Sequence, residues 1–412
     1  MGDTYRVGLV IDDSLDRPDG VQQHVLTLGA WLASQGHEVH YLTSTTERTD
    51  LPHLHNLSRN LRLKFNGNRL GTPLPARRAR VREVLAAADL DVVHVNMPYS
   101  PVLAGRVVAH ATPRTAVVGT FHILPWNTAT RAGTHLLGLV QRRQLRRFAA
   151  SIAVSEPARE FAAAALGIDP AVIGNPVDVA RFTAARSATA PPATSAAPTD
   201  RPAPATPGEV DEAAPVRVVF LGRLVERKGA LELLRAVAHA HHLPAGDPDH
   251  LAPGSVEVVV AGTGPLLETL QELARSSGIE GCVTFPGFVS EDDKAALLAS
   301  GDVVALPSTG GESFGISVVE ALAAARGVVL AGDNPGYRTV MSGLEDQLVD
   351  ATDTPAFAAL LARYVHDADA RRQAAERQLD QALRFDVATV GAQVLDVYAR
   401  ALAATRRPGG AR

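Results

Sequence analysis

The chain has 412 residues, of which 46% are hydrophobic and 20% are charged, and its formal net charge is -4. A chain of this length exceeds what one hydrophobic core usually supports, so two domains are expected. Its one cysteine, Cys282, excludes an intramolecular disulfide and is typical of a reducing compartment. We find neither a signal peptide nor the roughly 18 apolar residues of a spanning helix, so we expect a soluble or peripheral protein of the cytoplasm.

The charge is distributed unevenly along the chain. Residues 51–150 contain 15 Lys and Arg against 3 Asp and Glu, a local charge of +12. A basic stretch of this size favours an anionic partner, which at this point is nucleic acid, acidic lipid or a phosphorylated substrate. A solvated basic surface without a partner is the alternative.

The first part of the chain alternates apolar strands with helices. YRVGLVI predicts a strand, and VQQHVLTLGAWLASQGH predicts an amphipathic helix with Val21, Val25, Leu28 and Leu32 on one face. Further strands are predicted at 38–43, 91–96, 115–122 and 150–155. This alternation indicates an α/β domain over residues 1–182 with a doubly wound, mostly parallel sheet.

A linker and a second domain follow. Residues 183–215 are rich in Ala, Pro and Thr and have no apolar period, which predicts a flexible linker. The alternation then restarts and predicts a second doubly wound domain over 216–385, followed by a helical segment, 386–412, that needs a surface to pack on. Because open α/β sheets bind ligands at the carboxyl ends of their strands, we expect the two domains to face a central cleft.

The segment TGGESFGISVVEALAA, residues 309–324, places Glu312 and Glu320 around a glycine-rich helix start. Unpaired N–H groups at a helix start attract phosphate oxygens, whereas carboxylates repel phosphate and accept hydrogen bonds from hydroxyl groups. A nucleotide sugar has both kinds of group, so we favour it as the ligand. A helix cap at 312 and a surface glutamate at 320 are the alternative.

Two more segments of the second domain indicate the same ligand. GRLVERKG places Arg223 and Lys228 after a strand, where a guanidinium and an ammonium group can clamp a diphosphate. In AGTG, Gly262 is compatible either with close approach of the backbone to a ligand or with a tight turn alone.

The first domain offers two candidate positions at strand ends. Gly20, in RPDGVQQHV, allows a phosphate or a sugar to approach a helix start. His122, in TFHILPWN, ends its strand, where its ring would point into the cleft. A purely structural histidine is the alternative for His122.

A basic helix is predicted within residues 70–91, and its start carries Arg77, Arg78, Arg80 and Arg82. Such a helix can lie on anionic lipid, and the lack of stacking aromatic residues around it disfavours nucleic acid. An ordinary solvated helix face is the alternative. Asp247-Pro248-Asp249 lies in a loop insertion and Asp12-Asp13 has no third ligand nearby in sequence, so we expect no metal.

The pairing of GRLVERKG with ESFGISVVE, which has the form E-x7-E, resembles the large retaining glycosyltransferase family 4, whose fold is GT-B. Within that family, PDGVQQHV, FNG, TFH, FDVATVGAQVLDVY and the arginine helix are most similar to the phosphatidylinositol mannosyltransferases, which use GDP-mannose. The resemblance spans nearly the whole chain, apart from the linker and residues 243–254.

The resemblance implies which residues bind the donor. Gly20, Arg223 and Lys228 would hold its diphosphate, Glu312 the hydroxyls of the transferred sugar, and Glu320 the ribose. Val289 and Lys294 would lie near the base, and Ser313, Phe314, Gly315 and Ile316 around the sugar and phosphate oxygens. Gly262, from the AGTG motif, completes the predicted donor-binding positions.

Catalysis and the membrane contact are also implied by the resemblance. His122 and Glu312 would act at the reacting sugar. The four arginines would dock on an anionic phospholipid membrane, and the last helix would cross back onto the first domain. Asp13 and Gln22 are assigned to the acceptor, although Asp13 replaces a tyrosine of the relative. Asp19 replaces a glycine of the family's glycine pair, and Pro176 departs from the usual Asn-Gly-Val-Asp.

The sequence therefore predicts a metal-independent retaining glycosyltransferase that needs no cofactor. It is expected to be a monomer, peripheral at the cytoplasmic membrane face, and to move a hexose from GDP-mannose to a lipid-linked polyol such as phosphatidylinositol. Nucleic acid is not an expected partner. A family member with a UDP-sugar donor or a soluble acceptor, and a non-catalytic sugar-nucleotide-binding protein, are the alternatives.

Overall fold

The computed structural model describes residues 4–16, 19–65, 68–98, 100–122, 144–187 and 214–406; between 60 and 73 the description covers the backbone alone. The chain divides into two units. The first unit contains Met1–Val177 and Asp386–Arg412, and the second unit contains Asp178–Phe385.

The first unit is built on one parallel sheet. Its strands and a separate antiparallel hairpin, β4 with β5, are β1 (Arg6–Val10), β2 (Glu38–Thr43), β3 (Leu54–Asn56), β4 (Asn60–Phe65), β5 (Asn68–Pro73), β6 (Val92–Asn96), β7 (Ala116–Phe121), β8 (Ala150–Ala153) and β9 (Ala171–Val172). The sheet has the order β3-β2-β1-β6-β7-β8-β9. Ligands of such sheets bind at the carboxyl-terminal ends of the central strands.

Helices cover both faces of this sheet. They are α1 (Gly20–Ser34), α2 (Arg78–Ala88), α3 (Leu103–His110) and α4 (Glu156–Leu166). The apolar face predicted for α1 is present, since Val25, Leu28 and Leu32 are fully buried with β1. The other face of the sheet packs against α2 and α3, through Val81, Leu85 and the buried valines of α3.

The second unit repeats the plan with six parallel strands. These are β10 (Val216–Leu221), β11 (Val256–Ala261), β12 (Val283–Gly287), β13 (Val303–Leu306), β14 (Val328–Gly332) and β15 (Leu348–Val349). Their order is β12-β11-β10-β13-β14-β15. The helices are α5 (Val179–Ser187), α6 (Ala230–His242), α7 (Leu267–Ser276), α8 (Glu291–Ala299), α9 (Ile316–Ala324), α10 (Pro335–Val340), α11 (Thr354–His366) and α12 (Ala368–Leu383). The two doubly wound α/β units are those that the sequence predicts.

The boundary between the units differs from the one expected. We placed it at residue 182, with a linker from 183, whereas α5 belongs to the second unit. The reason is packing, because Phe182 is buried and Arg186 donates a hydrogen bond of 2.9 Å to the Ala325 carbonyl. The rest of the predicted linker, 188–213, lies outside the described residues.

The last helix, α13 (Val387–Arg406), belongs to the first unit, as expected. The Val387 N–H donates to the Val177 carbonyl at 2.8 Å. Val390, Val394 and Tyr398 are buried in the core that contains α1. Within the described residues, none of the helices combines the length and apolar character needed to cross a membrane.

Candidate active site

The loop between β13 and α9 carries the first of the paired glutamates and is held by close backbone contacts. A Cβ atom at Gly332 would lie 2.1 Å from the Ser308 carbonyl oxygen, and one at Gly336 would lie 2.2 Å from the Glu312 carbonyl oxygen. Asn334 donates its side-chain N–H to the Ser308 carbonyl at 3.0 Å. The position of Glu312 is therefore set by the backbone of two neighbouring segments.

Glu312 lies at the centre of a charged cluster. Its Oε1 accepts hydrogen bonds from Arg227 Nη1 at 2.6 Å, Lys228 Nζ at 2.8 Å and Ser308 Oγ at 3.1 Å. Burial raises the pKa of Glu312, but the charges of Lys228 and Arg227 outweigh it and the net pKa is lowered. Glu312 is thus ionised at neutral pH and acts as an acceptor.

The basic side of this cluster follows β10. Burial lowers the pKa of Lys228, while the neighbouring Tyr337 and Glu312 raise it, and the net pKa is raised. The structure thus brings the predicted residues Lys228 and Glu312 together. Arg227, next to Lys228 in the same motif, also binds Glu312 and was not selected from the sequence. Arg223 is exposed just after β10.

Gly262 is explained by the fold itself. Its φ is +136°, and a Cβ atom there would lie 1.8 Å from the Gly222 carbonyl oxygen. No residue with a side chain fits this position, because the backbone after β10 approaches it directly. The tight-turn alternative accounts for this glycine, and its donor-binding role stays a prediction.

The start of α9 has the geometry of an oxygen-binding helix terminus. Gly315 precedes the helix with φ of +125°, and its carbonyl accepts hydrogen bonds from the Val318 and Val319 N–H groups. The N–H groups of the first turn of an α-helix have no intrahelical partner, so those around Ile316 can face a ligand. Phe314 is buried edge-to-face on Phe385, with ring centroids 5.1 Å apart, and anchors this turn.

Glu320 lies in the middle of α9. It pairs with Lys294, the lysine predicted to lie near the base. Lys294 Nζ lies 3.1 and 3.2 Å from the two carboxylate oxygens of Glu320, and 2.9 Å from Glu291. Burial raises the pKa of Glu320, and Lys294 offsets this only in part. The structure therefore brings the predicted residues Glu320 and Lys294 together.

An exposed aromatic residue adjoins the predicted base position. Phe288 follows β12, directly before Val289, and 75% of its surface is exposed. Val289 was predicted from the sequence, whereas Phe288 was not. An aromatic residue followed by a polar segment at a strand end is the signal that marks it.

His122 lies at the end of β7 in a buried polar cluster. Its Nε2 is 2.9 Å from Asn96 Oδ1, while the Asn96 amide nitrogen donates to the Val10 carbonyl at 3.3 Å. That second bond orients the amide, so His122 donates from Nε2. Burial, followed by the neighbouring His24 and His94, holds the pKa of His122 well below its ordinary value. The imidazole is therefore neutral at physiological pH.

Two further residues support this cluster. The His24 ring meets the His122 ring edge-to-face with centroids 4.7 Å apart, and His24 Nδ1 is 2.9 Å from Asn175 Oδ1. Burial lowers the pKa of His24 to about 4. The sequence analysis missed the roles of His24, Asn96 and Asn175, because they lie far apart in the chain.

The predicted acceptor residues lie together at the start of α1. Gln22 Nε2 donates to Asp13 Oδ2 at 3.1 Å, and Asp13 Oδ1 accepts the Ser14 N–H at 2.7 Å. Gly20 is exposed at the first position of the same helix. Asp12, in contrast, binds the Ala104 N–H at 2.6 Å, which is a structural role at the start of α3.

The arginine face, defined as Arg77, Arg78, Arg80 and Arg82, is exposed at the start of α2. Val81, Val84 and Leu85 form the opposite, buried side of the helix. Cations near a helix N-terminus oppose the helix dipole, so helix stability does not explain four arginines there. Arg80 pairs with Glu83 at 2.9 Å, and that pair is exposed.

Comparisons with known proteins identify the family. Glycosyltransferase Family 4 matches residues 18–181, and Glycosyl transferases group 1 matches residues 210–380. The phosphatidyl-myo-inositol mannosyltransferase of Mycolicibacterium smegmatis is 33% identical over 95% of this chain and 93% of its own length. The protein of the same name from Propionibacterium freudenreichii is 32% identical over 95% and 94%.

Solved structures show the same fold. A glycosyltransferase from Rickettsia africae has a TM-score of 0.67 at 14% identity, covering 97% of this chain and 99% of its own. Anabaena HepE, in complex with UDP and glucose, has a TM-score of 0.67 at 19% identity, covering 95% and 99%. The chain is therefore a glycosyltransferase of GT-B fold that belongs to family 4.

Proposed function

We propose that the enzyme transfers mannose from GDP-mannose to phosphatidylinositol, with retention of configuration and without a metal ion, at the cytoplasmic face of the membrane. The observation that carries the proposal is the ionised Glu312, held by Lys228 and Arg227 beside the start of α9. The choice of mannose and of phosphatidylinositol is supported by relatives that are 30–33% identical over 95% of the chain and are named phosphatidyl-myo-inositol mannosyltransferases.

The donor site separates the two kinds of group on a nucleotide sugar. Lys228 and Arg227 supply cations for the diphosphate, and the N–H groups at the start of α9 supply further donors for its oxygens. Glu312 repels phosphate but accepts hydrogen bonds from sugar hydroxyls. Glu320 accepts hydrogen bonds from the ribose hydroxyls. Lys294 partly offsets the rise in the pKa of Glu320 that burial causes, and so favours the ionised carboxylate.

In the transfer step, the bond from the anomeric carbon to the diphosphate oxygen breaks and a bond to the acceptor hydroxyl oxygen forms. The departing phosphate oxygen receives the hydroxyl proton. Glu312 Oε1 already accepts three hydrogen bonds, which makes it a poor nucleophile and suits it to positioning the sugar. His122 contributes as a neutral imidazole, because its buried position disfavours the cation.

The first unit contains the residues that we propose bind the acceptor and the membrane. The Asp13–Gln22 pair offers carboxylate and amide groups that suit a polyol headgroup. The arginine face offers an exposed cationic surface for anionic phospholipid, and each basic residue near such a surface contributes about 1 kcal/mol.

A transfer panel tests the proposal. Purified protein is incubated with GDP-mannose or a UDP-sugar, and with phosphatidylinositol, diacylglycerol or inositol phosphate as acceptor. We expect product only from GDP-mannose with phosphatidylinositol, formed equally well in the presence of EDTA. The variant Glu312→Ala should lose transfer, while Glu345→Ala, which changes an exposed glutamate of the same unit, should retain it.

Each other outcome rejects a defined part of the proposal. Transfer from a UDP-sugar or to inositol phosphate replaces the donor or the acceptor. Calorimetric binding of GDP-mannose without transfer to any acceptor indicates a non-catalytic sugar-nucleotide-binding protein. Wild-type turnover by Glu312→Ala overturns the site.

A further inference from the structure

We infer that the first unit contains a divalent metal site, suited to Zn²⁺, formed by Glu38, His40 and His53. Their candidate ligand atoms all lie within 4.8 Å of one another, the only such group among the described residues. The site does not depend on the proposed transfer reaction.

The local backbone explains how these residues meet. Glu38 and His40 are two residues apart on β2, so their side chains lie on the same face of the sheet. β3 runs beside β2 as the sheet edge, and the Tyr41 N–H donates to the His53 carbonyl at 3.1 Å. His53, the residue before β3, therefore lies directly beside His40.

The backbone of His53 is held in an unusual conformation. Its φ is +49°, in the left-handed region that side chains other than glycine seldom adopt. In this conformation its ring stacks on the His40 ring, with centroids 4.6 Å apart. Strain of this kind is enriched at functional sites, and here it brings an exposed histidine to a buried one.

The hydrogen bonds of His40 are those of a metal ligand with a supporting residue. His40 Nε2 lies 2.7 Å from Glu38 Oε1, and His40 Nδ1 lies 3.0 Å from His55 Nε2. Metal-binding histidines usually engage their second ring nitrogen in this way, which fixes ring orientation. A cation bound between Nε2 and Oε1 replaces the proton that these two atoms otherwise share.

The ligand set defines the metal. Two imidazoles and one carboxylate form a common three-residue zinc set, with solvent in a fourth position. Imidazole ligands disfavour Mg²⁺ and Ca²⁺, which take oxygen ligands. Arg6 lies on the same side of the sheet, but it is paired with Asp89 at 2.8 Å, which reduces its repulsion of a metal.

The site is separate from the candidate active site. Glu38 is the first residue of β2, at the amino-terminal end of the strand, whereas His122 follows the carboxyl-terminal end of β7. Both strands belong to one parallel sheet, so the amino-terminal end of β2 and the carboxyl-terminal end of β7 lie at opposite ends of the sheet along the strand direction. A metal at Glu38 would join the turn at His53 to β2 and thereby stabilise the sheet edge.

Titration of untagged, EDTA-treated protein with ZnCl2 in a calorimeter tests the inference. We expect one Zn²⁺ per chain, and at least about a tenfold weaker affinity for His53→Ala and for Glu38→Gln. His55→Ala, which removes the supporting residue, should weaken binding about 10- to 100-fold. His110→Ala is the matched control, since this histidine of the same unit bonds to the Arg106 carbonyl and lies outside the cluster.

A second metal checks the geometry. Co²⁺ in a site with three protein ligands should give the visible absorption of a four-coordinate ion, and Zn²⁺ should displace it. Because Glu38 and His53 are exposed, both variants should fold, which circular dichroism verifies. Failure of the wild-type protein to bind Zn²⁺, or binding that Glu38→Gln and His53→Ala leave unchanged, overturns the inference.

Discussion

Acid should destabilise the first unit through its buried histidine cluster, His24, His94 and His122. His94 is the best defined member, because its Nδ1 lies 2.7 Å from the Tyr398 hydroxyl and its Nε2 lies 2.6 Å from Thr120 Oγ1. Burial lowers the pKa of His94 to about 3 and that of His24 to about 4. All three imidazoles are neutral in the folded protein near neutral pH.

The direction follows from proton binding. A histidine with a lowered folded pKa binds more protons in the unfolded state once the pH falls below the unfolded value of about 6.5. The free energy of unfolding therefore decreases from that pH down to the folded pKa. Between about pH 7.5 and about pH 5.5, His94 alone should account for about 1 kcal/mol, and His24 and His122 act in the same direction. Asp12 opposes them, because burial raises its pKa to about 6.

Comparison with His94→Gln isolates one histidine from these other groups. Tryptophan fluorescence during urea unfolding is the assay, since Trp31, one of the chain's two tryptophans, lies in α1 of the first unit. The variant should be less stable at each pH, but its stability should fall by about 1 kcal/mol less than that of the wild type over the interval. Equal losses of stability in the two proteins would refute the reasoning.

Three further changes test the second unit and the membrane contact. Gly262→Ala should cost more than about 1–2 kcal/mol of unfolding free energy, because a Cβ atom meets the Gly222 carbonyl, whereas Gly246→Ala, with open space around it, should cost much less in the same denaturation assay. Lys294→Met removes the cation beside buried Glu320, so the pKa of Glu320 should rise further. The affinity for GDP-mannose in calorimetry should then fall at least about tenfold, and more strongly at lower pH. Unchanged affinity would contradict the pairing. Serine at all four positions of the arginine face should reduce sedimentation with anionic vesicles without changing GDP-mannose affinity, and undiminished sedimentation would remove the membrane assignment.

Local patterns carried most of the fold. Apolar strands alternating with amphipathic helices predict both doubly wound units, because each element must bury one face against a sheet. The short strands β3 and β9 and the β4–β5 hairpin were not predicted, since segments of two to six mixed residues have too few apolar positions to show a period. The boundary at 182 was misplaced because Phe182 packs within a helix whose sequence continues into an Ala- and Pro-rich segment.

Motifs in continuous sequence also identified the centre of the candidate site. Glu312 and Lys228 meet, as do Glu320 and Lys294, although each pair comes from two separate segments. Their shared position was predictable because all four residues lie in the loops that follow parallel strands of one sheet, or in the helices directly after those loops. The exposed Phe288 was not predicted, since exposure at a strand end depends on how the following helix packs.

The sequence by itself determined the class of protein: two α/β units, a donor motif of paired carboxylates and bases, and membership of a glycosyltransferase family. Only the tertiary structure decided which side chains share a proton, a charge or a bond. The His24–His122 contact, the orientation of Asn96 and the Glu38–His40–His53 cluster join residues from different strands and helices. Burial and distance set their chemistry, and these quantities exist only once the sheets have formed.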